Sequence, residues 1–137
     1  METIQEMLTA NKAVIMAVLK RLGVVTAKVD YVGCGDSGSI ESVSVEPESV
    51  TEWADSQIDV YEESYDYRTR ATTFCKTRMS LVTALGDFSS DWLEAEHYGW
   101  QDEDGSRGQV VFDVAADQVV MAHDEFYTET FRREHTL

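Results

Sequence analysis

The chain predicts an α+β fold: a mostly antiparallel four-stranded sheet with two helices packed on one face, in the order helix, hairpin, helix, hairpin. Three observations carry this expectation. Apolar residues recur at helical spacing in two segments, one near the start and one from about Thr72 to His97. Period-two alternation marks four short runs that pair off across turn residues. No strand-crossover-strand pattern separates the members of either pair, so paired strands should run antiparallel. With 137 residues, 43% of them hydrophobic, the chain suits one core, and a single domain over 1–137 is expected.

The first helix opens on a capping box. Thr3 offers a hydroxyl to the free amides, and Glu6 reaches back from three residues on. Ile4, Leu8, Ile15, Val18 and Leu22 form its apolar stripe, and Gly23 stands where a left-handed C-cap is wanted. Val25, Ala27, Val29 and Tyr31 then alternate with polar neighbours as a half-buried strand. Gly33-Cys34-Gly35-Asp36-Ser37-Gly38 reads as a turn, because three glycines in six residues weaken any regular element. Ile40 to Val45 closes the first hairpin.

Residues 46 to 69 hold the only proline, many acids and three tyrosines without a sustained period, and are expected to be an exposed acidic loop with a helical turn near Trp53. From about Thr72, Phe74, Leu81, Leu85, Phe88 and Trp92 line a helical stripe, kinked or split at Gly86 and ending near His97. A polar loop over 98–108 leads to strands at 109–114, with Val110, Phe112 and Val114 inward, and at 119–126. Residues 127–137 form a tail.

Charge is the strongest feature beyond the fold. Twenty-six acids against eleven basic residues leave a formal net charge of -15. Eight carboxylates and no cation lie between Glu46 and Asp66, and twelve carboxylates against Arg107 lie between Asp87 and Glu129. Such a surface repels nucleic acid and acidic membranes and attracts basic clefts over a Debye length of roughly 10 Å. Solubility alone, or a high-salt habitat, also favours a negative excess, but it predicts mixed charge. Here Arg68, Arg70, Lys76 and Arg78 sit together without an acid among them, offering a basic surface of their own. No apolar run reaches the length of a spanning helix, and Glu2 and Glu6 stand where a secretory signal would carry cations, so a cytoplasmic protein is expected. Cys34 and Cys75 are expected to be thiols, Cys34 at least half-buried.

Gly33-Cys34-Gly35-Asp36-Ser37-Gly38-Ser39-Ile40-Glu41, then His97-Tyr98-Gly99-Trp100, Asp104-Gly105, Gly108 and Phe112-Asp113-Val114 resemble a family of small uncharacterised proteins carried on plasmids, phages and other mobile elements. The likeness runs in order over most of residues 12 to 135. The chain departs from that pattern at Tyr98, Asp102 and Glu103, where the family tends to carry glycine and asparagines, which adds charge to the loop. The resemblance implies an architecture and a genetic setting, not a reaction.

No catalytic motif, cofactor motif or metal site is expected. Gly35-Asp36-Ser37-Gly38 matches a serine-protease nucleophile stretch, yet no histidine precedes Ser37, and Gly, Asp and Ser are what tight turns favour. In an EF-hand alignment of Asp102-Glu103-Asp104-Gly105 the first ligand would be Trp100 and the bidentate acid Val111, neither of which coordinates. Glu94-x-x-His97 occurs once where a di-metal site needs it twice, and His97, His123 and His135 lie in different elements. Trp53, Trp92 and Trp100 read as packing residues, Trp100 partly exposed.

Two functions from different classes remain. The first is an inhibitor made by a mobile element, of anti-CRISPR or anti-restriction type. Its acidic, DNA-mimicking surface would bind a basic host protein that normally holds nucleic acid, such as a CRISPR effector or another defence complex. Asp55, Asp59, Glu62, Glu63, Asp66, Asp87, Asp91, Glu94, Asp102, Glu103 and Asp104 would form that surface. The second is a small enzyme or ligand-binding domain whose site lies between the Gly33–Gly38 turn and the His97–Gly105 loop, using Asp36, Ser37, His97 and Trp100. A separation of those segments beyond about 15 Å would exclude it, because side chains reach only a few ångströms.

Overall fold

The computed structural model describes residues 1–34, 37–100, 105–127 and 129–137. Asp36 and the Asp102, Glu103 and Asp104 cluster, expected respectively in the turn site and on the acidic surface, lie outside them. The fold is α+β, with elements α1 (Ile4–Arg21), β1 (Thr26–Cys34), β2 (Ser37–Glu46), β3 (Gln57–Asp66), β4 (Ala71–Ser80), α2 (Leu81–Glu96), β5 (Ser106–Asp113) and β6 (Gln118–Glu125). Four strands form one antiparallel sheet in the order β2-β1-β5-β6, and β3 and β4 form a separate two-stranded hairpin.

The helix-hairpin-helix-hairpin order is therefore corrected: a third hairpin stands between β2 and α2, where a loop and the start of a helix were expected. Ile58 and Val60 alternate with polar residues and are buried, a strand signal that the surrounding acids dilute. Phe74 falls seven residues before Leu81, which imitates helical spacing. However, Thr72, Thr73 and Thr77 are β-branched and favour an extended chain. The helix starts only at Leu81, where the Ser80 hydroxyl accepts the Thr83 N–H at 3.3 Å. Its interior is continuous through Gly86, contrary to the expected kink.

The ends of α1 behave as its sequence predicts. Thr3 Oγ1 accepts the Glu6 N–H at 3.1 Å, and Gly23 adopts φ +82 beyond the last turn. In the first hairpin the strands run further than expected, pairing Cys34 with Ser37 inside the glycine-rich stretch. Cys34 is exposed rather than half-buried, because strand parity puts it with Lys28, Asp30 and Val32 on the uncovered side of the sheet. Both thiols are free.

Every fully buried residue of β1 and β5 lies on one face. Cross-strand rows on that face run Ala27–Phe112–Val119, Val29–Val110–Met121, Tyr31–Gly108–His123 and Gly33–Ser106–Glu125 across β1, β5 and β6. The first two rows are apolar and pack with Leu8, Ile15 and Leu19 of α1, Ile58 and Val60 of β3, and Leu85, Phe88 and Leu93 of α2 in one core. Phe88 and Phe112 rings stand 5.5 Å apart. The last two rows are polar or glycine, and there the core gives way to a site.

Asn11 fastens the extra hairpin. Its buried side-chain amide donates to the Tyr61 carbonyl at 2.9 Å and accepts the Tyr61 N–H at 2.8 Å, completing the edge of β3 turned away from β4. Among the described residues no helix is long and apolar enough to cross a membrane.

Gly86 generates the first prediction. A Cβ there would meet Ile40 Cγ1 at 3.9 Å, an ordinary contact, so Gly86→Ala recovers helix propensity without strain. Denaturant unfolding should show a gain of about 0.5–1 kcal/mol, and a loss would contradict the continuous helix.

Candidate functional site

Two regions gather chemistry-bearing residues. The first is a groove of about 520 Å³ between α2 and the β3–β4 hairpin. Its walls include the apolar faces of Val60, Met79 and Phe88, and its rim includes Glu62, Glu63, Asp87 and Asp91. Asp87 and Asp91 stand one turn apart on α2, and Glu94 continues that stripe three residues on. Partial burial, then the charges of Asp87, Glu63 and Glu62, push the Asp91 carboxyl up to about 6. Burial and then Glu62 raise Asp87 as well. The acids of two distant segments thus share one field.

The other acids expected on that surface are dispersed. Asp59 pairs with Arg78 at 3.5 Å, both side chains being at least half exposed. Asp66 accepts the Arg68 N–H at 2.9 Å in the hairpin turn, beside the basic island. Asp55 is exposed in the turn before β3. The basic cluster Arg68, Arg70, Lys76 and Arg78 occupies the tip of that hairpin and β4 rather than a helix start, and Lys76 lies 5.6 Å from the Tyr61 ring centroid.

The second region is the glycine end of the sheet. Gly108 separates Tyr31 of β1 from His123 of β6, and a Cβ on it would collide with the Tyr31 hydroxyl. Glycine there leaves the phenol free to cross β5 and meet His123 Nδ1 at 2.6 Å. The His123 ring stacks on His97 with centroids 4.0 Å apart, and Glu125, two residues along β6, shares the face of His123. His97 arrives from the C-cap of α2, its N–H bonded to the Leu93 carbonyl at 2.8 Å.

Trp100 closes this end. Its ring meets Tyr31 edge-on at 5.5 Å and covers Gly38 so closely that a Cβ on Gly38 would collide with the indole. Ser106, fully buried, donates to the Trp100 carbonyl at 2.6 Å. Gly105, at φ +85, presses against the Gly33 carbonyl. The Gly33–Gly38 and His97–Gly105 segments are therefore in contact. Of the residues expected there, His97 and Trp100 are in the cluster. Ser37 is exposed, its hydroxyl 3.5 Å from the Cys34 carbonyl. Burial, then Asp124, raises the Tyr31 phenol to about 12, so it stays protonated. Burial, then His97, lowers His123 from its ordinary value.

Tyr31, His123 and Glu125 were not among the expected site residues, and His135, considered beside His97 and His123, lies in the exposed tail. A signal for two of them exists: His123-x-Glu125 on a strand places both side chains on one face.

A family model described as "Family of unknown function (DUF6878)" matches residues 7–137. The chain belongs to this family. No curated protein and no solved structure matches it. In this DUF6878 member, Gly38, Trp100, Gly105 and Gly108, four residues of the pattern noted in the sequence, build the same end of the sheet.

Because Asp91 keeps its proton to higher pH in the folded chain than the usual 3.8, folding takes up protons between about pH 4 and 6. Its stability contribution is present below about pH 4 and lost as pH rises through 6. After solvent screening of a half-buried group this is on the order of 1 kcal/mol. Asp91→Asn should raise the melting temperature at pH 7 and flatten that slope. Gly108→Ala should displace Tyr31 from His123 at a cost of about 1–3 kcal/mol, seen as lowered thermal stability and a changed His123 imidazole resonance by NMR.

Proposed function

We propose that this protein is a mobile-element inhibitor of a host nucleic-acid-binding defence protein, of anti-CRISPR or anti-restriction type, acting in the cytoplasm. The carrying observation is the convergence of Glu62, Glu63, Asp87 and Asp91 on one groove. Asp87 and Asp91, raised first by burial and then by neighbouring carboxylates, carry repulsion that a cationic partner relieves. An Arg or Lys side chain from a DNA-binding cleft matches both the charge and the aromatic walls of Tyr61, Tyr65 and Phe88, over which a guanidinium can stack. Glu94 extends the acidic stripe along α2, giving the surface a length as well as a pocket. A direct nucleic-acid or membrane role fits this charge poorly.

The test is inhibition of DNA cleavage by a purified CRISPR effector or restriction enzyme. Inhibition should weaken at least tenfold between about 50 and 200 mM salt, as counterion-linked binding does. It should disappear in Glu62→Gln/Glu63→Gln/Asp87→Asn/Asp91→Asn. Inhibition indifferent to both salt and these substitutions would refute the reading.

A second reading, a small enzyme or ligand-binding domain at the glycine end, is favoured by one observation. Trp100 lies on Gly38 and Gly105 against Gly33, so the two segments that such a site requires are in contact.

A further inference from the structure

Among the described residues, the glycine end holds a buried polar atom without a hydrogen-bond partner. His123 has a side chain only 4% exposed, and its Nε2 makes no hydrogen bond. A buried nitrogen in that state costs about 1–3 kcal/mol unless something satisfies it. Glu125 Oε1 is 3.6 Å away, beyond hydrogen-bonding distance. The same Oε1 lies 3.5 Å from His97 Nδ1, and one donor atom from each of His97, His123 and Glu125 falls within 4.8 Å of the others.

These separations bring three donor atoms within reach of a single metal ion. Zinc bonds of about 2.0–2.2 Å in a tetrahedron place neighbouring donors roughly 3.3 Å apart, a few tenths of an ångström inside the two nitrogen–oxygen distances. The His97 ring, stacked on His123 in the free protein, must turn so that its Nδ1 lone pair converges with His123 Nε2, and it stands at a helix C-cap with its side chain 36% exposed. We propose that His97, His123 and Glu125 bind a divalent transition-metal ion of the Zn²⁺ type, with Tyr31 as the positioning residue for His123.

Tyr31 meets the requirement that a ligating imidazole be oriented by a partner on its other nitrogen. With the metal on Nε2, Nδ1 carries the proton and donates to the Tyr31 oxygen. Three protein ligands leave a fourth position open, and a groove of about 410 Å³ lies beside His97, bordered by Trp92, Glu96 and Met121. The set of two imidazoles and one carboxylate favours Zn²⁺ over the hard cations Mg²⁺ and Ca²⁺, which prefer all-oxygen sites. This inference is independent of the acidic groove and requires no reaction, although it falls at the same end of the sheet as the second reading.

The test is titration of the tag-free full chain with Zn²⁺ by calorimetry, in a Cys34→Ser/Cys75→Ser background that removes the two exposed thiols. One equivalent should bind. His123→Ala and His97→Gln should each weaken binding at least tenfold, Glu125→Gln should weaken it as well, and His135→Ala should leave it unchanged. Because His123→Ala opens a hole, the exposed substitutions at His97 and Glu125 keep the test decisive if that variant fails to fold. Tyr31→Phe should weaken binding with an altered pH profile. Absence of one-equivalent binding, or equal affinity in the His97 and Glu125 variants, would overturn the proposal and leave the salt-dependent inhibition test untouched.

Discussion

The structure depends on a sheet that buries only one face. Apolar residues of β1 and β5 fall on a single side, so both helices and the β3–β4 hairpin must collect there to exclude water. The opposite face, with Lys28, Asp30 and Gln109, stays wet, and Gln109 donates to Asp30 at 2.9 Å across it. Along the buried face the rows change from Ala–Phe–Val to Gly–Ser–Glu, so the core thins toward one end. At that end missing side chains matter more than present ones. Gly108 makes room for a phenol, and Gly38 makes room for an indole.

The β3–β4 hairpin creates the other region of interest. It does not join the main sheet, and its hold on the rest of the molecule comes from Ile58 and Val60 in the core and from Asn11 on the Tyr61 backbone. Beyond Tyr61 the hairpin projects with little burial. It therefore stands off α2 and leaves a groove whose two walls are both acidic. Repulsion across that groove opposes folding, and the core offsets it.

Much of the first helix and of the two sheet hairpins was legible in the chain. Thr3, Gly23 and the alternation of Ala27, Val29 and Tyr31 are local signals, each read within a few residues and each used by the fold as expected. The third hairpin was obscured because acids outnumber apolar residues in β3 and because Phe74 sits at a helix-like interval from Leu81. The acids Glu62, Glu63, Asp87 and Asp91 were recognisable as a surface, but their sharing of one groove was not. Nor was the meeting of His97 with His123, which lie 26 positions apart and in elements of different type.

By itself the sequence determined composition, charge, the α+β class and the residues whose backbone needs are local, because caps, turns and periodicity act over a few residues. Only the tertiary structure decided which carboxylates repel one another, which glycines yield space to Trp100 and Tyr31, and which imidazole is buried beneath them. Those are properties of packing between distant segments. A pattern such as Gly38, Trp100, Gly105 and Gly108 can be seen along the chain, but its reason appears only when the glycines stand under the rings they accommodate.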